Sequence, residues 1–146
     1  MLDQTAKPLV EVSDLKMYFP IYSSMLRRHT GDVKAVDGVS FNILEGETLG
    51  LVGESGCGKS TVGRALLRLY EPTAGSVVIG GEDIATLAPE ALRKKRPSMQ
   101  MVFQDPQASL NPRMSLSSII GEPLVEHTAL TTAQRQDRIY ELMDQV

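Results

Sequence analysis

The sequence has one cysteine, Cys57, which excludes an internal disulfide and fits a reducing compartment. No apolar run approaches the length that crosses a bilayer. The start, Met1-Leu2-Asp3-Gln4, lacks the basic-then-apolar order of a signal peptide. A cytosolic chain is therefore expected, with any membrane role reached through a partner. Positive charge is not in excess either. Lys and Arg number 15 against 18 Asp and Glu, and a net charge of −3 gives no global attraction to nucleic acid. The local basic run Arg93-Lys94-Lys95-Arg96 reads as the solvated end of a short helix. Internal repeats and low-complexity segments are absent, and 42% hydrophobic with 23% charged residues is an ordinary globular balance.

What is present is concentrated in one stretch. Thr48-Leu49-Gly50-Leu51-Val52 reads as a short buried strand and runs straight into Gly53-Glu54-Ser55-Gly56-Cys57-Gly58-Lys59-Ser60-Thr61. The spacing is G-x-x-x-x-G-K-[ST], a phosphate-binding loop between a strand and a helix. Glycines let the backbone curl until successive N–H groups converge on an anion. The helix that starts near Lys59 aims its positive end at the same point. Lys59 can reach the β- and γ-phosphates, and the Ser60 hydroxyl can sit on Mg²⁺. At average residue usage the pattern begins by chance at roughly one position in 30,000. A helical stripe of Val62, Ala65, Leu66 and Leu69 follows it, so the context is right as well. The stretch predicts binding of a nucleoside triphosphate. Cys57, beside Lys59 at a helix start, is either a reactive thiol or the filler of a variable position.

The rest of the chain can be read in order. Residues 1–8 form a loose tail. Val10 and Val12 alternate with Glu11 and Ser13 as a half-buried strand that reaches Leu15 and is ended by Tyr18-Phe19-Pro20. Residues 21–32 have no period and read as a surface loop. Val39, Phe41 and Ile43 mark a second strand with one wet face. Beyond the phosphate loop, residues 76–79 form a short strand, Gly80-Gly81 a hairpin turn, and Pro89 the first turn of a short helix. Met99 to Phe103 is strand-like. Pro106, Pro112 and Pro123 break the next stretch into loop and short helix. Thr131 and Gln134 form a capping box ahead of an apolar face of Ile139, Leu142, Met143 and Val146. Two candidate parallel strands, 48–52 and 99–103, are too few for the core of such an α/β unit, so a fragment is expected.

Taken together, these residues resemble the ATP-binding subunit of an ATP-binding-cassette (ABC) transporter. The likeness is carried by Ala35-Val36-Asp37-Gly38-Val39-Ser40-Phe41, by Gly46 through Thr61, and by Gly63-Arg64-Ala65-Leu66-Leu67-Arg68-Leu69. Val102-Phe103-Gln104-Asp105-Pro106 and Ser109-Leu110-Asn111-Pro112-Arg113 add to it, and make the chain most similar to the second ATPase of bacterial dipeptide and oligopeptide importers. The resemblance implies an α/β P-loop NTPase fold, incomplete here. An antiparallel β subdomain and the phosphate-loop strand and helix fill residues 9–108, and a truncated helical subdomain begins at 109–146.

It also implies roles. ATP with Mg²⁺ is the cofactor. Gly53 to Thr61 hold the nucleotide, Lys59 and Gln104 serve catalysis, and Ser60 and Gln104 face the metal. Phe19 falls where the family stacks an aromatic on adenine, with Tyr18 as its neighbour and fallback. The implied partners are a second ABC ATPase, two transmembrane permease subunits and, through them, a periplasmic peptide-binding protein, at the cytoplasmic face of the bacterial inner membrane. No Leu-Ser-Gly-Gly-Gln-type signature, no strand ending in Asp-Glu and no switch histidine follow Gln104. His29 and His127 read as surface residues. The function implied for the full protein is ATP-driven peptide import. An ABC importer for nickel or glutathione, a cassette ATPase acting on DNA or ribosomes, and a non-catalytic remnant are the alternatives.

Overall fold

The computed structural model describes residues 7–24, 28–105 and 110–146. The expected tail therefore lies outside the described residues except for Lys7 and Pro8. So do part of the 21–32 loop, the segment containing Pro106 and Ser109, and the expected boundary at 108/109. The chain divides into two units, Met1–Leu92 and Arg93–Val146.

The first unit is built on a four-stranded antiparallel sheet. Its strands are β1 (Val10–Tyr22), β2 (His29–Ile43), β3 (Ala74–Ile79) and β4 (Glu82–Asp83), in the order β2-β1-β3-β4. Helix α1 (Lys59–Leu66) joins this sheet's buried side, and α2 (Pro89–Lys95) follows the last strand. Val12, Leu15, Val77 and Ile84 are fully buried, with Met17, Val36, Val62 and Ala65 around them. Strict alternation would put Asp14 inward after Val12. A bulge between Val12 and Leu15 prevents this, because the extra residue returns Leu15 to the core face. Asp14 absorbs the bend with φ of 47°, a conformation that Asp tolerates better than most residues. Its N–H donates to Ser40 Oγ at 2.8 Å.

Beyond Lys16, β1 loses β3 as a neighbour and continues with β2 alone through the pairs Phe19↔Val33, Pro20↔Asp32 and Tyr22↔His29. Of the loop expected over 21–32, residues 21–22 and 29–32 are strand. Its lack of period reflects a ribbon wet on both sides, and Pro20 is tolerated where β1 has a single neighbour. The expected strands at 48–52 and 99–103 are not in any ladder among the described residues. Val52 is 90% and Val102 94% exposed, and an apolar segment becomes a strand only where a neighbour accepts its backbone groups. Helix α1 ends at Leu66 instead of reaching Leu69, because Arg68 turns the chain with φ of 49° and leaves Leu69 exposed. Pro89 starts α2 as expected, and Gly80 and Gly81 both take positive φ in the β3–β4 turn.

The second unit contains a 3₁₀ turn (Arg96–Ser98) and helices α3 (Leu116–His127) and α4 (Thr132–Asp144). Ser115 caps α3 by accepting the Ser118 N–H at 3.2 Å. Pro123 lies inside α3 without ending it, at the cost of one helical hydrogen bond. The capping box at α4 is present. Thr131 N–H donates to Gln134 Oε1 at 2.9 Å, and Gln134 N–H donates back to Thr131 Oγ1 at 3.4 Å. Ile139 is the buried member of the expected apolar face, and Val146 is fully exposed. Gly121 of α3 lets the helices meet, since a Cβ there would lie 3.0 Å from Ile139 Cδ1.

Gly75 of β3 passes against the β1 bulge with φ of 91°, and a Cβ would collide with the Asp14 carbonyl and lie 2.7 Å from Leu15 Cα. Gly75→Ala is expected to destabilise the first unit by about 2 kcal/mol or more. Gly31→Ala, where no atom lies within 4 Å, is expected to be neutral to slightly stabilising. Urea unfolding of both variants checks this, and equal midpoints would contradict the close approach at residue 75.

Candidate nucleotide-binding site

The site begins where β2 ends. A turn at Leu44–Glu47, closed by Leu44 N–H donating to Glu47 Oε2 at 2.7 Å, sends the chain into segment 47–54, which joins no helix or ladder. Cys57 N–H donates to the Glu54 carbonyl at 3.3 Å and folds the loop back on itself. Gly58 then takes φ of 97° and caps α1. A Cβ at this residue would collide with the Ala35 carbonyl oxygen of β2, so only glycine allows the loop to lie this close to the sheet. Gly56 also has positive φ, 82°.

The first turn of α1 carries Lys59, Ser60 and Thr61, has no acidic residue, and receives no side-chain cap. Its N–H groups and the helix dipole therefore favour an anion at this end. The Lys59 ammonium is folded over the loop. It donates to the Gly53 carbonyl at 2.7 Å and the Glu54 carbonyl at 2.6 Å, and lies 3.5 Å from Cys57 Sγ. These acceptors are uncharged, so the positive charge remains available to a phosphate. Ser60 is exposed, and Ser55 and Glu54 face solvent with it. A cavity of about 190 Å³ adjoins the loop, lined by Val36, Val39, Leu51, Val52, Gly58 and Lys59.

Residues 53–61 are thus brought together as one cradle. Gln104 is exposed at a bend in the second unit. Phe19 is half-buried on β1 and meets Tyr70 edge-on, with ring centres 5.5 Å apart at 89°. Its neighbour Tyr18 is engaged elsewhere. The Tyr18 hydroxyl donates to Asp37, and Lys34 Nζ donates to the same carboxylate at 3.2 Å while lying 5.2 Å from the Tyr18 ring centre. This network was not foreseen from the sequence, because Tyr18, Lys34 and Asp37 meet only through the irregular β1–β2 register. The Tyr18 and Lys34 bonds hold the Asp37 carboxyl below its usual range. The Asp37 bond raises both the Tyr18 hydroxyl and the Lys34 ammonium. His29 and His127 are both exposed. Among the described residues, no group of three or more His, Cys, Asp or Glu side chains could hold a metal. The Ser60 hydroxyl fits the sparse protein contribution that Mg²⁺ accepts when phosphates and waters fill its other positions.

A glycine-cradled loop closed by a lysine at a helix N-terminus defines a P-loop nucleotide-binding unit. The family model described as ABC transporter matches residues 36–146, and the chain belongs to that family. It is 55% identical over 139 residues to the oligopeptide transport ATP-binding protein AppF of Bacillus subtilis, covering 94% of this chain and 42% of AppF. With the dipeptide transport ATP-binding protein DppF of Escherichia coli it shares 43% over 140 residues, covering 96% of this chain and 42% of DppF. With the glutathione import ATP-binding protein GsiA of Pectobacterium atrosepticum it shares 46% over 141 residues, 97% of this chain and 23% of GsiA. The chain therefore spans less than half the length of these relatives. A similar solved structure is the dimeric ATP-binding cassette MJ0796 in a post-hydrolysis state bound to ADP and Pi. It has a TM-score of 0.73 and 26% identity, with 92% of this chain and 56% of that chain covered. The expected family and the partial P-loop ABC ATPase fold are borne out.

Two outcomes follow from the geometry. Cys57 is exposed within the loop, with its sulfur 3.5 Å from Lys59 Nζ, so Mg-ATP is expected to slow its alkylation severalfold. A rate that nucleotide does not change would mean that the thiol points away from the bound phosphates. The second concerns the Tyr18–Asp37 bond. Tyr18 is raised, so its contribution is complete below the usual tyrosine range and is lost as pH climbs through the raised value. Asp37 is lowered, so its contribution holds above the usual carboxylate range and is lost as pH falls through the lowered value. Asp37→Ala is expected to return the Tyr18 midpoint downward, read by ring-carbon NMR titration, and an unmoved midpoint would refute the pairing.

Proposed function

We propose that the chain is the nucleotide-binding part of an ATPase that energises import of dipeptides or oligopeptides across the bacterial inner membrane. The observation that carries this is the phosphate cradle, with Gly58 pressed on the Ala35 carbonyl and Lys59 folded across the loop. The names of the relatives AppF and DppF supply the cargo class. Residues 9–108 form the N-terminal part of the nucleotide-binding domain, and 109–146 begin its helical subdomain.

In this reading ATP is held by the loop N–H groups of residues 53–61, the Lys59 ammonium and the α1 dipole. The Ser60 hydroxyl and the Gln104 amide are the groups that would hold Mg²⁺, which would supply neutralisation of charge on the phosphates. Fixed donors around the phosphates stabilise the charge that spreads over the transferring group, without moving during the reaction. Gln104 orients the attacking water and senses the membrane partner. Phe19 stacks on the base. The working assembly is a pair of cassettes, here with a second, different ATPase subunit, on two permease subunits that receive peptide from a periplasmic binding protein. The cassette sits peripherally on the cytoplasmic face of the membrane. No helix among the described residues is long and apolar enough to cross it. Glutathione import is a second reading, favoured by the 46% identity to GsiA. The two cargoes differ in which permease and binding protein the ATPase accompanies.

Lys59→Ala is the direct test of the cradle. It is expected to weaken ATP binding by about tenfold or more while leaving adenosine binding within twofold, because only the phosphates meet the ammonium. Calorimetry with both ligands reads the split. Equal losses would mean a folding defect, and no loss for ATP would remove the cradle from nucleotide binding.

A further inference from the structure

The contact between Phe19 and Tyr70 is one link of a longer chain of contacts. The Tyr70 hydroxyl accepts a hydrogen bond from Arg64 Nη1 at 3.1 Å, and the Arg64 guanidinium lies 5.6 Å from the Tyr70 ring centre. The backbone repeats the attachment, since the Leu69 and Tyr70 N–H groups both donate to the Arg64 carbonyl, at 2.8 and 3.4 Å. The left-handed turn at Arg68 is what brings Tyr70 back over α1. Tyr70 is therefore fixed at its backbone, ring and hydroxyl to one residue of the helix that begins at the phosphate loop. Arg64 lies about one helical turn beyond Ser60.

We propose that Tyr70 is a positioning residue for the nucleobase. Held by Arg64, it sets the tilt of the Phe19 ring so that an aromatic base can stack on it. The inference rests on the reading of Phe19 as the base platform. An edge-to-face pair fixes the angle between two rings and leaves at least one face of Phe19 uncovered by its partner. Phe19 otherwise stands on β1 beyond the last pairing with β3, held by its pairing with β2 and by the Tyr18 N–H bond to Thr73 Oγ1 at 2.9 Å, neither of which is made by α1. Through Tyr70 and Arg64 the platform is instead registered to α1, the element that also sets the phosphate position. Base and triphosphate sites then share one rigid reference.

The test measures binding of Mg-ATP and of inorganic tripolyphosphate to the purified full-length protein and to the Phe19→Ala, Tyr70→Ala, Tyr70→Phe and double-alanine variants. Phe19→Ala is expected to weaken ATP about two- to tenfold and to leave tripolyphosphate unchanged. Tyr70→Ala is expected to do the same, Tyr70→Phe to fall between it and the parent, and the double variant to be no weaker than Phe19→Ala alone. Should Phe19→Ala reduce ATP affinity while Tyr70→Ala does not, the positioning role is wrong and the base platform stands. If Phe19→Ala has no effect, the platform fails and the proposal with it. Loss of ATP and tripolyphosphate alike in Tyr70→Ala would show a structural role only, and would also overturn it.

Discussion

Everything in the first unit depends on the approach of Gly58 to the Ala35 carbonyl. That approach seats the start of α1 against β2, and no side chain could occupy the position. Val62 and Ala65, about one and two turns further along α1, reach the core beside Val12, Leu15 and Val36 because the helix starts there. The anion-directed face of the loop is then a by-product of packing. Once the helix is docked by its apolar stripe, its uncapped first turn and the glycine-rich curve before it face outward. Folding energy from apolar burial thereby holds the backbone donors in place before any ligand arrives, which is the condition for electrostatic preorganisation.

The polar arrangement around the site follows a matching division of labour. Adjacent residues of β1 point to opposite faces, so Tyr18 and Phe19 have different fates. Tyr18 joins Lys34 and Asp37 on the wet face, where charge and hydrogen bonding tie β1 to β2. Phe19 turns to the side of Tyr70. The exposed ion pairs of this network are screened by solvent and contribute little to global stability, so their effect is local register. Register matters here because β1 and β2 are bulged at several places, and a slip of one residue would exchange the faces of Tyr18 and Phe19.

Much of this was legible in the residues. The phosphate loop, the start of the helix after it, the Gly80-Gly81 turn, the Pro89 helix start and the Thr131–Gln134 capping box each depend on local chemistry, and each stands where local rules place it. What was misread depends on distant partners. Thr48 to Val52 and Met99 to Phe103 have strand composition, but a ladder needs a neighbour, which composition does not report. The ribbon over 20–22 and 29–32 escaped notice for the opposite reason. It is paired, but its exposure on both faces erases the alternation that reveals a strand. The bulge at Asp14 and the left-handed Arg68 are non-glycine residues at positive φ, and no simple residue rule marks them. The link of Tyr70 to Arg64 exists only because Arg68 folds the chain back.

The extension of β1 and β2 past the end of β3 has a consequence of its own. Two strands without a third coil more tightly than a wide sheet. The inner half of β1 is paired on both sides, by β2 and β3, and presents Val12 and Leu15 to the core. Its outer half has β2 alone as a ladder neighbour, so Phe19 lies on the part of the strand that β3 leaves uncovered, and its ring meets Tyr70 there. One continuous strand thus serves as a wall of the core at one end and as a bracket that carries Phe19 to Tyr70 at the other, with no extra loop between the two.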